Sequence, residues 1–424
     1  MAQTILTFIT RVNPEKAARL DDILKEIREN PDGNSHVRFA SLTRLHFASF
    51  VILEDEEYGS YLVFENNFDD SLDDYLDELT EQAGSGLHEI YACSLDYKAA
   101  TYEPAGLKAF LKSRIVRPNA YHIGNVGRSA KRIKQEFLLR EKIENSLDEL
   151  VGSGEDRDKS PASLREYIQQ FVRNDASLAW AVNPIGPRQT TAERIVPQVK
   201  VYIFYIFAVI AVITLFPVFL AWLIVLRRLE KRDEKEAITA PPETSHIQDL
   251  ARQEDRTGFV QNHLASITVV KPGWFRRITL RTVLWVANLI ARTATKGELR
   301  GIRSIHFAHW ALIDNGRRLL FLSNYDGSWM SYLDDFIDKA STGLTGIWSN
   351  VVGFPPARFL IFGGARNEAG FKAYSRRSQT PARVWYSAYP ELTVQNIDND
   401  SLIREDLFTT LEGDEATRNW LRLF

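Results

Sequence analysis

The sequence predicts an α+β protein of two ferredoxin-like β-α-β-β-α-β repeats with antiparallel sheets, joined by a linker that carries one hydrophobic membrane segment. Three observations lead there. Two stretches of the chain align with each other, each runs through strand-like and helix-like periodicities in the same order, and residues 201–226 carry no charge. The 424 residues exceed one ordinary core and suit two domains with connecting material. A net charge of −3 offers no bulk attraction to a polyanion, so nucleic acid is not an expected partner. The single cysteine, Cys93, excludes an intramolecular disulfide framework and a multi-cysteine metal cage.

The repeat fixes the organisation. Residues 67–79 (NFDDSLDDYLDEL) align without a gap on residues 324–336 (NYDGSWMSYLDDF), residues 45–48 on 305–308, and residues 105–110 on 369–374. The expected divisions are a first module over 1–150, a charged linker and juxtamembrane region over 151–200, the membrane segment over 201–226, a polar linker over 227–256 and a second module over 257–424.

In the first module residues 4–12 alternate as a strand, and Pro14 opens a helix whose Ala17, Leu20, Ile23, Leu24 and Ile27 share a face. Residues 42–53 and 60–64 read as a hairpin. Ser71 is placed as the N-cap of a helix that ends near Gly84 or Gly86, and a fourth strand is expected over 88–95. Residues 127–150 form a charged amphipathic helix and 163–172 another. The second module repeats the scheme with one change. Its first helix, residues 272–292, is broadly apolar, carries Trp274, Phe275 and Trp285, and has four arginines but no acid, the pattern of a helix lying in a membrane interface or buried deeply in a core.

A run of 26 residues covers the ~30 Å apolar thickness of a bilayer, so 201–226 is expected to enter a membrane. Arg227, Arg228, Lys231, Arg232 and Lys235 follow it, against Arg188, Arg194 and Lys200 before it. By the positive-inside rule the second module faces the cytoplasm of a bacterial inner membrane. A re-entrant hairpin bent near Thr214 and Pro217 would keep both modules there.

Among polar residues the paired histidines stand out. Strand alternation puts His46 with Arg44, Ala48, Phe50 and Ile52, and His306 with Ser304, Ala308, Trp310 and Leu312. If helices cover the other face, both imidazoles point into the space between sheets, where each serves a ligand, a proton transfer or sheet packing. His309 has Ser49 as its counterpart, which fits either a functional second copy or a half-exposed strand position. The repeated Asn67-Phe68-Asp69 and Asn324-Tyr325-Asp326 stand before a helix, where such residues cap it, or where Asp326 beside Gly327 meets a ligand. Trp310, Arg383 and Tyr386, with His46, are the expected lining of a ligand site. No P-loop, GxGxxG, GxSxG or HExxH occurs in the chain, which weighs against the reactions those motifs serve.

Two such modules, each with a histidine strand facing the inter-sheet space, resemble the duplicated α+β barrel of dye-decolourising peroxidases and chlorite dismutases. Residues 323–327 (SNYDG) are similar to the GxxDG haem motif of those peroxidases, with Ser323 in place of the first glycine. That resemblance implies haem as cofactor, Asp326 as the acid-base residue, and His306 or His309 as the iron ligand. The chain also looks like a family of uncharacterised bacterial membrane-associated proteins. The leading expectation is a membrane-anchored protein that binds an apolar or haem-like ligand, or a protein partner, at the membrane surface. A haem-dependent peroxidase-like oxidoreductase and a self-assembling membrane scaffold are the alternatives, with membrane lipid, a homo-oligomer partner and an apolar small molecule as expected partners.

Overall fold

A computed structural model describes residues 3–31, 33–54, 59–98, 100–154, 159–183, 216–234, 242–254, 256–293 and 301–424, with isolated positions between them. In chain order the first half contains β1 (Gln3–Arg11), α1 (Ala17–Glu29), β2 (Leu45–Leu53), β3 (Tyr61–Asp69), α2 (Leu72–Tyr91), α3 (Pro104–Ser113), β4 (Ile115–Val116), β5 (Ala120–Ile123), α4 (Ala130–Ser153), α5 (Pro161–Asn174) and α6 (Ala179–Val182). Then come α7 (Phe216–Asp233), α8 (Thr244–Ala251), β6 (Gln261–Val269), α9 (Trp274–Thr293), β7 (Ile305–Ile313), β8 (Arg318–Asp326) and α10 (Trp329–Trp348). The chain ends with β9 (Ala357–Arg358), β10 (Phe362–Gly363), α11 (Glu368–Ser378), β11 (Gln379–Thr380), β12 (Ala382–Ser387), α12 (Val394–Asp406) and α13 (Gly413–Leu421).

The fold is α+β with two antiparallel five-stranded sheets, ordered β12-β2-β3-β1-β4 and β11-β6-β8-β7-β5. The two copies share register: Gln3 lies opposite Asp69 in one and Gln261 opposite Asp326 in the other, and β2 and β7 break register at the same place, between Leu45 and Phe47 and between Ile305 and Phe307. Each half also lends its last strand to the other. β5 pairs with β7, and β12 pairs with β2. The exchange covers one edge of each sheet and ties the halves through backbone hydrogen bonds, which removes an exposed edge as well.

Helices cover the outer face of each sheet. Phe8, Leu24, Phe50, Phe64 and Leu79 pack beneath α1 and α2, while Leu284, Trp310, Phe321, Phe336 and Trp348 pack beneath α9 and α10. The inner faces meet in a third core of Phe47, Val51, Val63, Phe307, Leu320 and Leu322, closed by Trp385 and Tyr389. A fourth apolar cluster joins α4, α5, α6, α12 and α13 through Leu139, Ile143, Ile168, Val172, Ile403 and Trp420.

Four expectations change. Residues 88–95 are not a strand: α2 runs on to Tyr91, and the short fourth strand of the first sheet is β4, after the extra helix α3. Gly84 and Gly86 do not end the helix, because their role is contact. A Cβ on Gly86 would collide with the His36 carbonyl and one on Gly84 with the Tyr102 hydroxyl. The strand faces are also reversed, since Ala48, Phe50, Ala308 and Trp310 point to the helices while Phe47, Val51, Phe307 and Ala311 point between the sheets. His46 and His306 nevertheless reach the inter-sheet side, because the register break beside each puts it on the same side as the following phenylalanine.

The fourth change concerns the apolar segment. Most of 201–215 lies outside the described residues, while residues 216–226 form the first turns of α7, which continues into charged Arg227 to Asp233. Among the described residues no helix is long and apolar enough to cross a membrane.

Candidate functional site

Each bulged histidine is held by the aspartate that ends the neighbouring central strand. His46 Nε2 hydrogen-bonds with Asp69 Oδ1 at 3.0 Å, and His306 Nε2 with Asp326 Oδ1 at 2.7 Å. The second oxygen of each carboxylate accepts a backbone N–H at the start of a distant helix: Ala130 of α4 at 2.7 Å for Asp69, Val394 of α12 at 2.8 Å for Asp326. Negative charge there complements the helix dipole and satisfies an orphan donor. The helices directly after the two aspartates are capped instead by Ser71 and Ser328. The two pairs differ on the far side of the ring. His46 Nδ1 meets the Tyr389 hydroxyl at 2.8 Å, whereas His306 Nδ1 is buried without a partner, because Asn125 stands at the place of Tyr389 and turns to Val394 and Asp398. Burial, with Asp69 and Asp326 nearby, lifts the Tyr389 phenol well above its ordinary value and keeps it neutral.

These residues do not fit a haem. His306 and Asp326 are bonded to each other, and Phe47, Phe307 and Tyr389 lie against the two imidazoles at ring-centre distances of 5.1 to 6.0 Å, filling the space a porphyrin would need. Nor does His306 gather further ligands: among the described residues no group of three or more His, Cys, Asp or Glu side chains could hold a metal ion.

A second polar cluster lies between the sheets, and sequence reading found only part of it. Glu65, at the centre of β3, is fully buried. Its Oε2 meets His263 Nε2 and accepts from Ser49, both at 3.1 Å, while Asn67 and Asn324 donate to Oε1 at 3.4 Å and His309 Nδ1 lies 3.7 Å from that oxygen. His309, which is buried rather than half-exposed, bonds with the Thr7 hydroxyl at 2.9 Å through Nε2. Asn324 donates to Asn67 at 3.0 Å and accepts from the Trp385 indole at 2.9 Å. Burial alone would raise the Glu65 carboxyl. The hydrogen bond and charge of His263, with His309 and Ser49, outweigh it and hold the group below its usual value. Burial depresses His309, with Glu65 opposing and His263 adding to the effect.

The register exposes the asymmetry. Glu65, Ser49, Thr7 and Ile5 occupy the places of Leu322, His309, Ala265 and His263 in the other copy. Extending the visible repeat two residues upstream of Asn67 and Asn324 pairs a glutamate with a leucine inside apolar strands, and that mismatch was the available signal.

The remaining expected site residues do not converge. Trp310 packs on Phe321 and Trp348 beneath α10. Tyr386 stacks on Phe39 at 5.3 Å on the helix side of the first sheet. Arg383 reaches Asp21 at 3.3 Å and Glu54 at 3.6 Å near the surface. Only His306 and Asp326 touch one another.

On the outside of the second copy, α7, α9 and the β9–β10 hairpin adjoin one another. Trp222 of α7 donates to Thr279 of α9 at 3.2 Å, and its ring lies 6.1 Å from Phe275. Glu230 of α7 accepts the backbone N–H groups of Phe359 at 2.8 Å and Leu360 at 3.0 Å. Both of those residues are left-handed, with φ of 54° and 60°, and the Ile361 N–H returns to Arg358 at 3.1 Å, so an apolar pair occupies a turn that usually holds Asn-Gly. Asp233 ties α7 to Lys271 at 2.9 Å and to Arg276. Trp274 is 69% exposed, Trp285 56%, Phe362 49% and Phe359 40%, so the outer surface of this corner is aromatic and aliphatic. No protein-family model, no curated protein and no solved structure matches the chain.

Proposed function

We propose that this is a membrane-associated protein in which two ferredoxin-like modules, locked together by strand exchange, are laid on a bilayer by the α7, α9 and β9–β10 corner of the second copy. The apolar exposure of that corner carries the reading: side chains such as Trp274, Ile278, Trp285 and Phe362 face outward instead of packing inward. Apolar patches on monomers are seldom this concentrated without a partner surface. Two features favour lipid as that partner. The uncharged run 201–215 leads directly into α7, and α9 carries Arg277 and Arg281 but no acid, which suits anionic headgroups. The basic turn after Leu226 supports the cytoplasmic leaflet. Each aromatic side chain that enters the interface contributes up to about 1.5 to 3 kcal/mol on full burial.

Flotation of the full chain with vesicles tests this. The protein is expected to float with phosphatidylglycerol vesicles and less with phosphatidylcholine alone, and Trp274→Ser with Trp285→Ser is expected to reduce the floating fraction. A full chain that remains unbound at low salt and runs as a discrete detergent-free dimer would overturn the proposal, because the corner would then be covered by a second copy.

A further inference from the structure

We infer that the cleft bounded by α8, the α8–β6 connection and the β11–β12 turn is a binding site for a small organic carboxylate, with Arg256 as its anion anchor and His263, held from behind by the buried Glu65, as its polar floor. The hollow is small and open to solvent on one side. Leu250, Pro381 and Ala382 supply apolar wall, Gln253 and Gln379 amide groups, and His263 and Trp385 line the inner end. It suits a molecule of a few heavy atoms.

Charge selects the ligand class. Glu254, the acid in the lining, is already neutralised: Arg376 grips both its oxygens at 2.5 and 2.9 Å, and Gln379 donates to it at 3.2 Å. Arg256 has no such partner among the described residues and rests over the Trp385 ring at 5.7 Å. Burial, and the neighbouring Arg28, pull its guanidinium below the ordinary value, so an added anion would relieve both burdens. A guanidinium presents a planar fork that matches a carboxylate in two parallel hydrogen bonds. Its position over an indole face leaves the edge of that fork free for a ligand.

The floor is fixed from behind. Arg256 lies on Trp385, whose indole donates to Asn324; Asn324 donates to Glu65, and Glu65 meets His263, which returns to the cleft. One chain of contacts therefore sets both the anchor and the imidazole, the sort of support that holds a binding site in register. The fold does not require this chain. In the mirror-related places of the other copy stand Ile5 and Leu322, and the same sheet packing is achieved without charge. A buried carboxylate–imidazole pair is a weak source of stability compared with an apolar pair of similar volume. Its presence on the copy-spanning side that opens to the cleft beside Arg256 points to a ligand.

Isothermal titration of the full chain with acetate and propionate, and with inorganic phosphate as the non-planar control, tests the inference. Saturable binding of the carboxylates is expected, propionate the tighter, with phosphate weaker by about tenfold. Arg256→Gln removes a charged hydrogen-bond pair and is expected to weaken propionate by about tenfold or more. Arg256→Lys should recover only part of that, and His263→Gln gives an independent reading of the floor. No saturable binding in the millimolar range, phosphate equal to propionate, or unchanged affinity in folded Arg256→Gln would each overturn it.

Discussion

The helices α1 and α9 stand at the same point of the repeat, between the first and second strands of their sheets, yet they treat their outer faces in opposite ways. α1 buries Leu20, Ile23, Leu24 and Ile27 and shows water a face of aspartate, lysine, glutamate and arginine. α9 buries Leu280 and Leu284 on the same side but shows water Trp274, Ile278, Trp285 and Val286. The connection after the second helix diverges too, from Ser94 to Pro104 in the first copy to the longer Val351 to Glu368 in the second, where the added chain forms the apolar hairpin against α7. The fold constrains inner faces tightly and leaves outer ones to diverge, so function is to be sought where equivalent positions disagree. The same logic singles out the inter-sheet cluster, where Glu65 faces two histidines that the first copy lacks.

The strongest test of that contrast is to erase it. Glu65→Leu alone copies Leu322 into the first module but strips His263, Asn67 and Asn324 of their acceptor, and is expected to lower unfolding free energy by about 3 kcal/mol. Adding His263→Ile and His309→Ser, the residues of the equivalent places, should restore most of the loss, because the core then becomes apolar in the manner the other copy already tolerates. Urea midpoints of the three proteins decide it. A triple variant no more stable than Glu65→Leu would mean that the cluster serves packing and not a ligand.

A smaller effect separates the two aspartate–histidine pairs. Asp69→Ala and Asp326→Ala each remove a helix-capping acceptor and should cost about 2 kcal/mol. The histidine side is expected to be unequal: His46→Ala forfeits bonds to both Asp69 and Tyr389, whereas His306→Ala forfeits only that to Asp326. Equal thermal midpoints for the two histidine variants would show that the Tyr389 bond contributes nothing.

The contact between the equivalent helices α4 and α12 adds a pH dependence. Burial raises the Asp400 carboxyl to about 6, with Arg140 opposing and Glu136 and Glu144 reinforcing the rise. A folded-state value above the unfolded one means that the protonated acid is favoured in the native protein. Its contribution is therefore complete below pH 4 and is lost as pH rises through 6. Asp400→Asn should flatten stability across that window by up to about 3 kcal/mol. A slope unchanged between pH 4 and 7 would assign the dependence elsewhere.

Much of this architecture was written in the chain. Strand alternation, the Ser71 cap and the repeat of residues 67–79 on 324–336 placed most elements, since those signals are local. The histidines drew notice for the right surface by the wrong face, because a register break is invisible to strict alternation. Exchange of β5 and β12 was not legible at all, as short strands carry no mark of which sheet they join. His263 and Glu65 were missed because they meet across 198 residues, and Glu65 reads in isolation as an ordinary strand acid.

The smallest expected change bears on the apolar corner. Phe359 is held left-handed at the tip of the β9–β10 turn, a conformation that costs a residue with a Cβ roughly 1 kcal/mol, with Glu230 accepting its N–H in compensation. Asparagine fits that backbone better. Phe359→Asn should therefore stabilise the folded protein by about 0.5 kcal/mol while removing an aromatic side chain from the exposed apolar corner, so thermal midpoint and vesicle binding are expected to move in opposite directions. A control substitution on the first copy's polar helix, Lys25→Asn, should leave vesicle binding untouched. If Phe359→Asn instead lowers the midpoint and leaves flotation unchanged, the phenylalanine secures the hairpin to its own fold, and the difference between the two copies at this corner is one of packing alone.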